Sequence, residues 1–159
     1  MDAAGLMKEI AQGRIAVLDG AWGTEMAKHG LETGACPELL NASSAAIVER
    51  IPKSYVDAGA HIVLTNTFGG ARCKLDKNGL GDRVAELNTA GARISKKAAG
   101  TAALVFASVG PTSEFLEPLG TITTEAMTAI FQEQIAAMVA GGADGIVVET
   151  MSDLPESLC

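Results

Sequence analysis

The chain is poor in the residues on which most familiar chemistries rest. It has two histidines, His29 and His61, and neither sits in a nucleophile or metal-ligand spacing. Its three cysteines, Cys36, Cys73 and Cys159, are odd in number and widely spaced, which excludes a disulfide framework and a paired metal motif and fits reduced thiols. Lysine and arginine are not clustered and the formal charge is −7, which argues against a nucleic-acid partner, because phosphate-backbone affinity comes from grouped cations. No apolar run approaches the roughly 20 residues of a membrane-spanning helix. The opening residues mix Asp2, Lys8 and Glu9 with apolar positions at helical spacing, unlike a secretory signal, so a cytoplasmic location and no membrane partner are expected. No linker or low-complexity tract divides the chain, and one domain is expected.

What is present is a repeated pattern. The 159 residues include 18 glycines, and β-branched runs end at glycine or polar clusters followed by helical periodicity. This alternation marks βα units and a parallel sheet. Strands are expected at Ile15–Asp19, His61–Asn66, Ala103–Val109 and Gly145–Thr150, each nearly continuously apolar as for strands covered on both faces. From Leu80, residues Val84, Leu87, Gly91, Ile94 and Ala98 share one helical face. A second helix is expected from the Thr123–Thr124 cap through Met127, Phe131, Ile135 and Met138 to Gly141–Gly142. A third starts near Ser43 or Ser44, presents Ile47, Val48, Ile51 and Tyr55, and should kink at Pro52. Ala58-Gly59-Ala60 and Gly141-Gly142-Ala143-Asp144 read as one tight helix-to-strand joint used twice.

In parallel α/β folds, ligands lie beyond the C-terminal strand ends. After the first run come Asp19, Gly20, Ala21, Trp22, Gly23, Thr24 and Glu25. Small residues there let a ligand approach the backbone, and successive amides can hold a carboxylate; a turn serving geometry alone is the alternative. The second run ends in Thr65-Asn66-Thr67-Phe68-Gly69-Gly70 and the third in Ser108-Val109-Gly110-Pro111-Thr112. The fourth delivers Glu149 to the rim of a buried strand, where its charge requires a partner: a ligand ammonium or a structural salt bridge. Asp19 and Glu149 converging on one amine, with first-loop amides on a carboxylate, would recognise an α-amino acid. A Schiff-base lyase or aldolase is disfavoured, because Lys53, Lys74, Lys77, Lys96 and Lys97 fall in helices or loops.

The segments VLDGAWGTEM, CPELLN, AGAHIVLTNTFGG, ASVGPT, EPLGTIT and GGADGIVVETMSDL, in this order, resemble the homocysteine S-methyltransferase family. That family includes the homocysteine-binding module of cobalamin-dependent methionine synthase and the betaine- and S-methylmethionine-dependent enzymes. The resemblance implies a (β/α)8 TIM barrel in which the homocysteine thiol binds Zn2+ as a thiolate and attacks a methyl donor. It places substrate contacts on Asp19, Gly20 and Glu149, and the first-loop reading adds Ala21, Gly23 and Thr24. The family's zinc cysteines lie in segments that this sequence does not contain, so no metal ligand and no catalytic residue is assigned here. Trp22 stands where the family usually has Met, and His61 where it often has Asp.

A complete barrel takes roughly 250 residues. The expectation for residues 1–159 is therefore the N-terminal half of a methyltransferase barrel, about four parallel strands with covering helices, supplying the amino-acid clamp and inactive alone. Expected partners are homocysteine and a methyl donor, with cobalamin on a partner domain or protein, a second half-barrel or self-dimerisation left open. The alternative is a non-catalytic half-barrel that binds a small amino acid or pairs with a separately encoded second half.

Overall fold

The computed structural model describes residues 2–32 and 34–159. In chain order the elements are α1 (Ala3–Ala11), α2 (Gly23–Lys28), α3 (Leu40–Ser43), α4 (Ala45–Asp57), β1 (Ile62–Val63), α5 (Arg72–Asp76), α6 (Val84–Ala99), β2 (Leu104–Val109), α7 (Thr124–Ala140), β3 (Gly145–Val148) and α8 (Leu154–Ser157). Short 3-10 turns lie at Pro37–Leu39 and Gly81–Arg83. The strands form a parallel sheet in the order β1-β2-β3, with Ile62 opposite Leu104 and Val109 opposite Val148.

The two glycine joints match bond for bond. After α4, Gly59 takes φ +97°, its amide donates to Val56 O at 3.0 Å, and the Ala60 amide donates to Tyr55 O at 3.0 Å. After α7, Gly142 takes φ +93°, with Gly142 donating to Val139 O at 2.9 Å and Ala143 to Met138 O at 3.3 Å. This pair of bonds is a Schellman stop, and its left-handed residue is costly for any side chain except none. Each joint turns the chain straight into a strand.

The helical faces follow the sequence periodicity. On α6, Val84, Leu87, Gly91, Ile94 and Ala98 are buried, and the helix packs between α4 and α7. On α7, Met127, Phe131 and Met138 are buried, and the Thr123 hydroxyl accepts from the Ala126 amide at 3.2 Å as the N-cap. α4 runs through Pro52 as one element, with Val48, Ile51 and Pro52 on its buried side. α1 closes the end of the sheet where the strands begin, its Leu6 packing on Ile62 and Leu104. Among the described residues no helix is long and apolar enough to cross a membrane.

Three strand expectations are corrected, the first being His61–Asn66, of which only Ile62–Val63 is strand. The run Ile15–Asp19 is not a full strand but a single bridge, Leu18 to Ile62, held by Asp19 N to Ile62 O at 3.0 Å and His61 N to Val17 O at 2.8 Å. Nor is burial on both faces general: Ile15 is 82% exposed, Val17 51% and Val148 52%. A strand's cover comes from its neighbours, and among the described residues β2 alone has a hydrogen-bonded strand on each side. Its residues are buried except for half-buried Phe106.

Candidate active-site cleft

The C-terminal ends of the strands open on a cleft of about 330 Å³. One wall is the Gly20–Gly23 loop with Met26; the other carries Leu64, Thr65, Asn66, Phe68, Ser108 and Glu149, and Pro37 and Glu38 close the side. The cleft therefore gathers residues from all four strand ends named from the sequence.

Asp19 lies directly behind the first loop. Its Oδ2 accepts from the Leu64 amide at 2.8 Å and from Trp22 Nε1 at 2.9 Å, tying the loop to the end of β1. Its Oδ1 is buried and has no hydrogen-bond partner. Burial pushes this carboxyl above its ordinary value; the Leu64 amide and Trp22 oppose the rise, and the neighbouring Glu149 charge adds to it.

Glu149 follows β3, its amide donating to Val109 O at 3.0 Å. Its Oε1 accepts from the Ser108 hydroxyl. Among the described residues no lysine, arginine or histidine forms an ion pair with Asp19 or Glu149. Among the described residues, the side-chain partner of Glu149 is the Ser108 hydroxyl and not a cation, and each carboxylate has one oxygen engaged by the protein and one without a protein partner.

Gly20, Ala21 and Gly23 line the cleft. Gly20 is closely approached: a Cβ there would lie 3.1 Å from the Tyr55 hydroxyl oxygen, so that side chain would have to give way. That hydroxyl donates to Ala21 O at 3.0 Å, so Tyr55 on α4 supports the loop from behind. Thr24 lies in α2, exposed, and does not reach the cleft wall.

Sequence reasoning missed Glu38. It is 4% exposed, and it accepts from the Gly69 amide at 2.6 Å and from the Cys36 thiol at 3.3 Å. The available signal was a carboxylate set between Pro37 and the apolar pair Leu39-Leu40. Also missed was Asn41, whose amide donates to Asn66 O at 2.8 Å and Leu87 O at 3.0 Å while its Oδ1 accepts from Asn66 Nδ2 at 2.8 Å. Glu156 locks the loop after β2, accepting from the Thr112 amide at 2.7 Å and hydroxyl at 2.6 Å.

The cysteines lie on separate parts of the molecule: Cys36 against Glu38, Cys73 donating to Thr112 O at 3.5 Å, and Cys159 donating to Pro155 O at 3.3 Å. Burial, reinforced by Glu38, pushes the Cys36 thiol up to about 11. Among the described residues no group of three His, Cys, Asp or Glu side chains is placed to hold a metal. The donor set of this chain does not fit the zinc that the resemblance implies. His29 caps the end of α2 in an exposed position, and His61 sits at the entrance to β1, away from the cleft.

The homocysteine S-methyltransferase family model matches residues 16–159. The chain is 32% identical over 163 residues to a methionine synthase of Mycobacterium leprae (strain TN), covering 94% of this chain and 13% of that protein. It is equally 32% identical to a methionine synthase of Mycobacterium tuberculosis (strain ATCC 25618 / H37Rv), covering 92% and 13%. The fold is that of the homocysteine methyltransferase MmuM from Escherichia coli. Its metallated form superimposes with a TM-score of 0.78 at 22% identity, covering 94% of this chain and 59% of that one. For the oxidized form the TM-score is 0.77 at 23% identity, covering 89% and 55%. The chain thus spans about an eighth of the curated relatives and little more than half of the solved neighbours.

Proposed function

Because this chain belongs to the homocysteine S-methyltransferase family, we propose that its cleft holds the amino-acid end of homocysteine for methyl transfer to the thiol, giving methionine. One observation carries the reading: Glu149 lines the cleft, Asp19 lies behind its first loop with a buried, unpartnered Oδ1, and among the described residues neither carboxylate has a cation partner. An uncompensated pair of this kind is costly unless a ligand cation completes it. The substrate ammonium is that cation, and the exposed backbone of Gly20, Ala21 and Gly23 receives the substrate carboxylate.

Residues 1–159 act as the N-terminal half of a TIM barrel of this family. They contribute substrate orientation: Glu149 and Asp19 fix the amine, and the thiol is directed away from the clamp. Activation of the thiol is assigned to no residue of this chain, whose cysteines are dispersed and, at Cys36, strongly held in the thiol form.

The test is calorimetry of the chain with L-homocysteine and with 4-mercaptobutanoate, which lacks the amine. Wild type should prefer homocysteine, and Glu149→Gln should weaken homocysteine about tenfold while leaving the analogue nearly unchanged. Equal affinity for the two ligands in wild type, or an unaltered preference in both Glu149→Gln and Asp19→Asn, overturns the reading.

A further inference from the structure

Hydroxyl groups at the ends of β1 and β2 form a chain whose proton directions can be worked out. Thr67 has one hydroxyl proton and donates it to Ser108 O at 2.8 Å. A carbonyl oxygen cannot return a proton, so in the 2.5 Å contact between Thr65 and Thr67 the donor is Thr65. The Thr65 oxygen in turn accepts from the Ser108 amide at 3.1 Å. Both threonine protons are then committed to groups that hold Ser108 in place, and neither can be redirected to the cleft.

Ser108 is 2% exposed and its own hydroxyl proton goes to Glu149 Oε1. Among the described residues it is the only hydrogen-bond donor to that carboxylate. The backbone of Ser108 is held at its amide by Thr65 and at its carbonyl by Thr67, and these two threonines are themselves hydrogen-bonded, so the origin of its hydroxyl is fixed.

We propose that Ser108 is the positioning residue of the amine clamp: its hydroxyl holds Glu149 Oε1 and thereby leaves Oε2 as the oxygen offered to the substrate ammonium. The inference rests on the clamp reading above and adds a residue that acts through Glu149 without itself meeting the amine. A carboxylate released from this contact would rotate about its side-chain torsions and lose orientation, which matters for an amine and not for a ligand that lacks one.

The experiment is a titration of Ser108→Ala with homocysteine and with 4-mercaptobutanoate, beside Glu149→Gln and the double variant. The stoichiometry of each titration counts folded molecules, so both affinities are read on folded protein. Ser108→Ala should weaken homocysteine about tenfold and the analogue less than about twofold, and in the Glu149→Gln background it should have little further effect. Equal weakening of both ligands, or a loss that adds fully to that of Glu149→Gln, shows a general structural role and overturns the inference. So does an unchanged homocysteine affinity in Ser108→Ala when Glu149→Gln is impaired. If Glu149→Gln leaves the preference intact, Ser108 has no clamp carboxylate to position and the inference fails; if Asp19→Asn leaves it intact as well, it is the clamp reading that fails.

Discussion

His61 stands to Val17 as Asp144 stands to Val105. The His61 amide donates to Val17 O at 2.8 Å while its Nδ1 accepts from the Val17 amide at 3.1 Å. The Asp144 amide donates to Val105 O at 2.7 Å while its Oδ2 accepts from the Val105 amide at 2.8 Å. Both residues follow a glycine joint and staple the new strand to the preceding segment with a donor and an acceptor. The imidazole fills a carboxylate's place, which requires its proton on Nε2.

His61→Asp should therefore preserve the fold, because an aspartate supplies the same acceptor. His61→Ala should cost about 1 kcal/mol, since the Val17 amide loses its partner at a site that water reaches in part. Urea unfolding midpoints of the two variants check this. Equal losses would show that the contact contributes nothing beyond packing.

Gly91 should resist the usual benefit of alanine in a helix. In an open helix the change gains about 1 kcal/mol. Here a Cβ would lie 2.7 Å from Asn41 Nδ2 and 3.1 Å from Asn66 O, inside the network beneath the cleft. Gly91→Ala should destabilise by about 1–3 kcal/mol, and chemical denaturation with a rise in stability would show that the helix has room to move.

The raised Asp19 carboxyl gives a signed pH effect. Its folded-state value lies above the ordinary 3.8, so the folded form binds this proton more tightly than the unfolded form. Stability from this group is present at low pH and is lost as pH rises from 3.8 through the folded-state value. The stability of wild type relative to Asp19→Asn should accordingly fall as pH rises across that window, measured by denaturant unfolding without ligand. A difference that grows with pH would contradict burial as the dominant influence on Asp19.

Cys36 should be slow to alkylate. With its thiol pushed to about 11, roughly one molecule in a thousand carries thiolate at pH 8. Glu38→Gln removes the adjacent charge and should speed the reaction with iodoacetamide, followed by mass spectrometry in a Cys73→Ser, Cys159→Ser background. A rate unchanged by Glu38→Gln would leave burial alone as the cause.

Local features were legible in the residues. The apolar face of α6 and the Thr123 cap of α7 depend on contacts three to five positions apart, and both appear where the periodicity places them. The two glycine joints were legible for the same reason, since a Schellman stop closes within six residues. Asp19 and Glu149 could be singled out because each follows an apolar run at a strand's exit, where charge is costly without purpose.

Other features depended on parts of the chain brought together from far apart. The reduction of Ile15–Asp19 to one bridge could not be read from its composition, because strand assignment depends on neighbours that composition does not contain. The Ser108 hydroxyl meets Glu149 across 41 positions, and Glu38 meets the Gly69 amide across 31. Tyr55 reaches Ala21 across 34, a contact no helical pattern on α4 announces. By itself, then, the sequence determined the three long helices α4, α6 and α7, the glycine stops of α4 and α7, and the two carboxylates that follow apolar runs, because periodicity, capping and desolvation act on neighbouring residues. Only the tertiary structure decided which oxygen of each carboxylate is engaged and which has no partner among the described residues, because a hydrogen bond depends on groups that folding alone brings within 3 Å.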